Sequence, residues 1–303
     1  MYSDYITTDY NFTVMYIWRH IIHTNLACYK DILLVRFADT SEGGGVHSLN
    51  ISDNKTFNYL FPAGRWSEEE LIEAIEIIFK DAAKYQANAA FVCALPEQVE
   101  WLKNNKEKIE AIKSRTLSLL PMRGSFDYIY DANELISLKG KKFQAKRNFV
   151  NGFKRSFEWS FEPITQDNID DCKSMNAKWY EINDSEADPS FIAEGKSVEQ
   201  VFKHFSELEC YGALLRVDGK VVGFTFGEMV NSNTLLIHIE KAFYNVRGAY
   251  QTLGNEFLKF VKSNFSDFNF VNREDDANNE GLRRAKMEYH PIYLAEKFYV
   301  KFE

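Results

Sequence analysis

The chain has 303 residues and a formal net charge of −8; 45% of it is hydrophobic and 26% charged. That length exceeds what one simple core usually fills and points to two domains of about 150 residues. With 25 Phe and 16 Tyr, apolar surface is plentiful, which excludes a disordered chain, and the acidic balance excludes a protein that coats nucleic acid over its whole surface.

The first half opens with an aromatic-rich lead, Tyr10–Tyr29, followed by a predicted strand, Asp31–Ala38. A Gly43-Gly44-Gly45 turn and a second strand around Phe57–Phe61 come next. Ser67 before Glu68-Glu69-Glu70 is a helix N-cap with acid in the first turn. Leu71, Ile75, Ile78 and Phe79 then mark one apolar helical face. A short buried strand, Ala89–Leu95, precedes a helix opened by Pro96. Phe126–Tyr130 reads as a strand and Asn133–Leu138 as a helical turn.

Between the halves, Lys139 to Arg155 (KGKKFQAKRNFVNGFKR) holds seven cationic residues and no acid. Phe149, Phe153 and Phe157 recur at i+4, so one face docks on protein while the other carries charge. Lys142 and Lys146 share a face, and with Arg147 and Asn148 they form a patch suited to phosphate from coenzyme A, a tRNA acceptor end or a lipid head group.

The second half begins with a strand, Phe157–Pro163, and a helix from Asp167, its expected cap, to about Asn183. Another helix is expected over Val198–Leu208. Strands at Tyr211–Val217, Lys220–Val230 and Thr234–Ile239 follow, the first two joined by an Asp218-Gly219 hairpin turn. An Arg247-Gly248 turn then leads into a helix, Ala249 to about Phe265, a strand at Phe268–Asn272, a helix at Glu280–Met287 and a last strand near Leu294–Phe302. A strand that enters a helix through Arg-Gly presents backbone N–H groups to an anion. Arg247, Gly248, Ala249, Tyr250 and Gln251 are therefore the candidate donor-binding residues.

Four blocks, Lys142–Phe153 (KFQAKRNFVNGF), His238–Gln251 (HIEKAFYNVRGAYQ), Asn272–Asp275 (NRED) and Gly281–Pro291 (GLRRAKMEYHP), occur in an order that resembles the phosphatidylglycerol lysyltransferase C-terminal domain family. The resemblance spans Phe126 to the C-terminus. It implies an α+β fold of two tandem GNAT-like (acyl-CoA N-acyltransferase) domains, each a mixed, mostly antiparallel sheet flanked by helices, and more distantly a Fem-type relation. The expected domains are 1–155, a degenerate copy, and 156–303. The better-known members look like enzymes that move an aminoacyl group from aminoacyl-tRNA to a lipid or peptidoglycan amine or hydroxyl. Membrane-bound members carry a large transmembrane part. Here no apolar run approaches the roughly 20 residues that cross a bilayer, so a small amine-bearing acceptor is expected.

Acyl transfer to an amine needs a proton acceptor and donors facing the carbonyl oxygen. His238 and Glu240 alternate with Ile237 and Ile239 and are expected on one strand face. Arg273, Glu274 and Asp275, after Asn272, follow a strand end where open sheets place ligands. Lys286 and Tyr289 lie in the last block, which resembles the late helix of the aminoacyltransferase groups, and Tyr289 is a candidate general acid.

Coenzyme A is the expected donor, with aminoacyl-tRNA held by the basic segment as the alternative. Tyr250 and Thr252 stand where ordinary GNAT turns carry glycine, which hinders close approach of a pyrophosphate. A catalytically silent member that binds a phosphorylated metabolite or a protein partner is the reading from another class. No metal is expected, since His20-Ile-Ile-His23 lacks the Glu and third ligand of a zinc site. Four separated cysteines (Cys28, Cys93, Cys172 and Cys210) and a polar N-terminus without a basic n-region fit a cytoplasmic protein.

Overall fold

The structure is a computed structural model that describes residues 6–21, 23–37, 56–183, 189–265 and 267–303. The expected Gly43-Gly44-Gly45 turn lies outside the described residues. In chain order the first elements are α1 (Phe12–Ile17), β1 (Thr24–Tyr29), β2 (Ile32–Phe37), β3 (Thr56–Tyr59), β4 (Ala63–Gly64), α2 (Glu68–Lys84), β5 (Asn88–Ala94), α3 (Pro96–Asn105) and β6 (Leu117–Pro121). There follow β7 (Asp127–Asp131), α4 (Ala132–Ser137), α5 (Gln144–Ser156), β8 (Trp159–Pro163), α6 (Ile169–Ile182), α7 (Pro189–Lys203) and β9 (Tyr211–Val217). The last are β10 (Lys220–Asn231), β11 (Thr234–Ala242), α8 (Ala249–Asn264), β12 (Phe270–Asn272), α9 (Glu280–Met287), β13 (Tyr293–Ala295) and β14 (Phe298–Phe302).

These form two mixed sheets flanked by helices, as expected. The first sheet runs β1-β2-β3-β5-β14-β6, with β4 on β2; the second runs β8-β9-β10-β11-β12-β7-β13. The orders correspond. In each sheet an antiparallel series leads to one parallel pair, β3 with β5 and β11 with β12, whose crossover carries a long helix. An antiparallel strand then flanks that pair, β14 against β5 and β7 against β12.

The flanking strands are exchanged along the chain, because β14 is C-terminal and β7 belongs to the first half. Compact units accordingly comprise Met1–Asp127, Asp275–Arg283 and Leu294–Glu303 on one side, and Tyr128–Glu274 with Arg284–Tyr293 on the other. A single cut at 155/156 does not describe them.

In the first unit, α2 forms because Ser67 Oγ accepts from Glu70 N at 3.2 Å while the Glu70 carboxylate accepts from Ser67 N at 2.9 Å, a reciprocal cap. Its predicted face is buried, with Ala74 and Ala82 completing it. Phe302 of β14 stacks edge-on against Phe79 and Phe91, so the last strand fills this core. In the second unit, Asp218 (φ 49°) and Gly219 (φ 75°) make the two-residue turn that Asp-Gly predicts. The helix expected from an Asp167 cap begins at Ile169 instead, after Asn168, whose Oδ1 accepts from Thr165 N and caps the turn before it. α7 starts at Pro189, well before the expected Val198, with proline fixing the first helical φ. Among the described residues no helix is long and apolar enough to cross a membrane.

Candidate active-site cleft

A cleft opens in the second unit beneath α8, lined by Leu135, Leu138, Ile237, Phe257, Leu258 and Val271 as walls and by Lys146, Glu240, Gln251, Asn255, Arg273 and Tyr289 as polar groups. Gly254 also borders it. A glycine inside a helix costs up to about 1 kcal/mol relative to alanine, and its reason here is spatial. A Cβ at 254 would stand 2.8 Å from Glu240 Oε2, so the glycine leaves room for that carboxylate.

Arg273 is the centre of the polar set. Its Nη2 donates to Glu240 Oε1 at 2.9 Å, and its guanidinium lies 4.9 Å from the centre of the Tyr289 ring and 6.0 Å from that of Tyr130. Burial, the largest influence, opposes the charge on Arg273, but Glu240, Tyr130 and Tyr289 together outweigh it and the pKa rises. Burial pushes the Tyr289 phenol up to about 12, so it keeps its proton at neutral pH. Lys146 is buried, donates to Glu288 at 2.7 Å and lies 4.5 Å from the Tyr289 ring centre. Lys286 is also buried and donates to the Arg273 carbonyl, while Tyr130 donates to the Lys286 carbonyl at 2.9 Å. The strand end is shaped by Asn272, whose Oδ1 accepts from Glu274 N at 2.7 Å and holds Glu274 at φ 56°.

His238 and Glu240 do not share a face, contrary to the alternation read from the sequence. Between the pairs Phe226↔Ile239 and Gly227↔Ile237, β11 carries one extra residue, His238. This β-bulge breaks the period of two. Ile237 and Glu240, three apart, therefore both line the cleft, and His238 does not. The His238 side chain is fully enclosed, with Nε2 2.8 Å from Glu228 Oε1 and Nδ1 3.1 Å from Glu274 Oε1. Burial would lower its pKa, but the two carboxylates prevail and raise it to about 9. At neutral pH it is an imidazolium with no lone pair to accept a proton.

The Arg247-Gly248 turn is present, with Arg247 exposed and Gly248 at φ 87° capping α8. Gln251, in the first turn of α8, joins the helix start to the cleft. A Cβ on Gly248 would stand 2.6 Å from the Phe149 carbonyl oxygen and 3.0 Å from Phe153 Cβ, so α5 packs directly on the turn. Ala249 is buried and Tyr250 half-buried beside it. The basic segment is neutralised in part: Lys142 pairs with Glu134 at 2.6 Å and Lys154 with Glu256 at 2.7 Å, while Arg147 donates to the Leu138 and Gly140 carbonyls. Lys139, Lys141, Asn148 and Arg155 are exposed. Asp275 falls in the first unit, where its Oδ1 accepts from Ala277 N at 3.1 Å.

Residue-level reading missed Asn255, which donates to the Leu135 and Ile136 carbonyls at the end of α4, and Tyr130. A signal for Asn255 was present: Gly254-Asn255 interrupts an otherwise apolar helix face.

The family described as phosphatidylglycerol lysyltransferase, C-terminal, has a model that matches residues 7–301. A conserved protein of unknown function from Bacteroides thetaiotaomicron is 29% identical, with a TM-score of 0.85 over 100% of this chain and 94% of that one. L-PGS from Bacillus licheniformis superposes with a TM-score of 0.63 at 12% identity, over 92% of this chain and 83% of its own. The C-terminal domain of an Agrobacterium fabrum protein described as a putative lysylphosphatidylglycerol synthetase gives 0.62 at 15%, over the same shares.

Proposed function

The chain belongs to the phosphatidylglycerol lysyltransferase C-terminal family, and from that premise we propose that it transfers an aminoacyl group from aminoacyl-tRNA to a small amine-bearing acceptor. The cleft beneath α8 carries the proposal. It combines apolar walls with a carboxylate, a guanidinium and a protonated phenol within a few ångströms, a set sized and charged for an amino acid rather than for a long acyl chain.

In the reaction, the acceptor nitrogen attacks the ester carbonyl carbon. Arg273 stabilises the oxyanion that develops, as a fixed cation in a partly dry site does. Glu240 takes the proton leaving the nitrogen, and Tyr289 gives a proton to the departing ribose oxygen as the C–O bond breaks. Transfer of the proton from Glu240 back to Tyr289 through the site restores both groups. Lys139, Lys141 and Arg155, exposed on the basic segment, meet the acceptor-stem phosphates.

Acyl-CoA as donor is the second reading, favoured by the retained turn with Arg247 exposed at the start of a 16-residue helix. Against it stand Tyr250 and Thr252, side chains at positions where a close backbone approach to pyrophosphate calls for glycine. Calorimetric titration of the full chain with charged tRNA, uncharged tRNA and acetyl-CoA tests the two. Charged tRNA is expected to bind most tightly and to pass labelled amino acid to a panel of small amines, with Glu240→Gln retaining binding but not transfer. Binding of acetyl-CoA without discrimination of charged tRNA would overturn the aminoacyl reading.

A further inference from the structure

We propose that Cys210, Glu228 and His238 form a binding site for a divalent transition-metal ion of the zinc class, with Glu274 orienting the histidine. The three ligand atoms lie within 4.8 Å of one another. They come from adjacent strands: Cys210 directly precedes β9, Glu228 is in β10 and His238 in β11. Tyr211, Gly227 and Ile237 share one row of the sheet; Cys210 and Glu228 lie on one side of that row and His238, the bulge residue, on the other. The bulge is what brings His238 to this cluster instead of to the cleft. Two of the three ligands thus sit on paired strands, which fix such positions better than loops do.

Thiolate, imidazole and carboxylate together are a donor set for zinc-like ions, and three protein ligands leave a fourth position for water or a substrate atom. The other ring nitrogen of His238 faces Glu274 at 3.1 Å, the carboxylate–histidine arrangement that orients metal-bound imidazoles. On binding, S–metal, N–metal and O–metal bonds form. The Cys210 thiol proton and the Nε2 proton of His238 leave to solvent, the Nδ1 proton stays on the ring and bonds to Glu274, and nothing is oxidised or reduced.

Titration of the full chain with Co²⁺, and with Zn²⁺ in competition against a chromophoric chelator, tests the site. One equivalent of Co²⁺ is expected to bind with a thiolate-to-metal charge-transfer band that Zn²⁺ bleaches. Cys210→Ser is expected to abolish the band, and Glu274→Gln to keep it while weakening affinity about 10- to 100-fold. No uptake of either ion by the folded wild-type chain would overturn the proposal, as would a band that persists in Cys210→Ser. Should that variant fail to fold, Glu228→Gln in the Zn²⁺ competition decides the same point: weaker binding supports the site, unchanged binding removes it. These readouts do not involve the transfer reaction, so they are independent of the donor.

Discussion

The crossovers β3–α2–β5 and β11–α8–β12 hold the same place in their two sheets, yet α2 is sealed and α8 is not. The start of α2 is closed by the Ser67–Glu70 cap and carries three glutamates, which repel an anion from the positive end of the helix. α8 starts at a left-handed glycine with no side-chain cap and no acid in its first turn. Below α2 lies an apolar core of Leu71, Ala74, Ile75, Ile78, Phe79 and Ala82. Below α8, Gly254 makes room for Glu240, and buried Thr252 and Asn255 replace apolar side chains. Sheet topology thus permits either a solid core or a cleft. A few residues decide which, and enclosing a charged pair costs stability that packing alone would not require.

The comparison breaks most visibly at the charged pair. Arg273→Met or Glu240→Gln is expected to cut aminoacyl transfer by about 100-fold or more, equivalent to about 2.7 kcal/mol of barrier, in a labelled-tRNA assay. Ile75→Val beneath α2 is expected to leave the rate unchanged. Equal losses in rate from the two helices would end the distinction between them.

Gly248→Ala comes next. It places a Cβ at φ 87° against the Phe149 carbonyl, and a loss of about 2–3 kcal/mol in urea unfolding is expected. A neutral result would mean that α5 does not press on the turn. Ser67→Ala should cost about 1 kcal/mol by the same measurement, again without altering transfer. A fall in rate would give α2 a part in the chemistry.

The smallest effect is alkaline. The folded Tyr289 phenol keeps its proton to about 12, whereas an unfolded tyrosine loses it near about 10. The stability this provides is complete below the unfolded pKa and is lost as pH rises through the folded one. Tyr289→Phe is expected to flatten the decline of stability between those values, read from denaturation midpoints at stepped pH. An unchanged slope would place Tyr289 in water rather than against Arg273.

Much of this contrast was legible beforehand. Ser67 with Glu70, the apolar spacing of α2, Asp218-Gly219 and Arg247-Gly248 each act through local geometry, and local geometry is what a string of residues records. Arg273, Glu240 and Tyr289 were each legible as candidates, but their meeting was not, because it joins three distant segments. The bulge at His238 was invisible for another reason: an extra residue in a strand has no side-chain signature, and alternation was the natural assumption. The neutralisation of Lys142 and Lys154 by Glu134 and Glu256 likewise depends on tertiary neighbours.

The exchanged strands bear on how the chain is made. Because β14 sits between β5 and β6, the first sheet lacks an interior strand until residues 298–302 have left the ribosome. During synthesis β5 and β6 then present unpaired edges, with the apolar face that Phe302 later covers open to water. Pairings that span most of the sequence form slowly. The first unit therefore closes only after the strands of the second have been translated, and the apolar face around Phe79 and Phe91 stays open until β14 covers it.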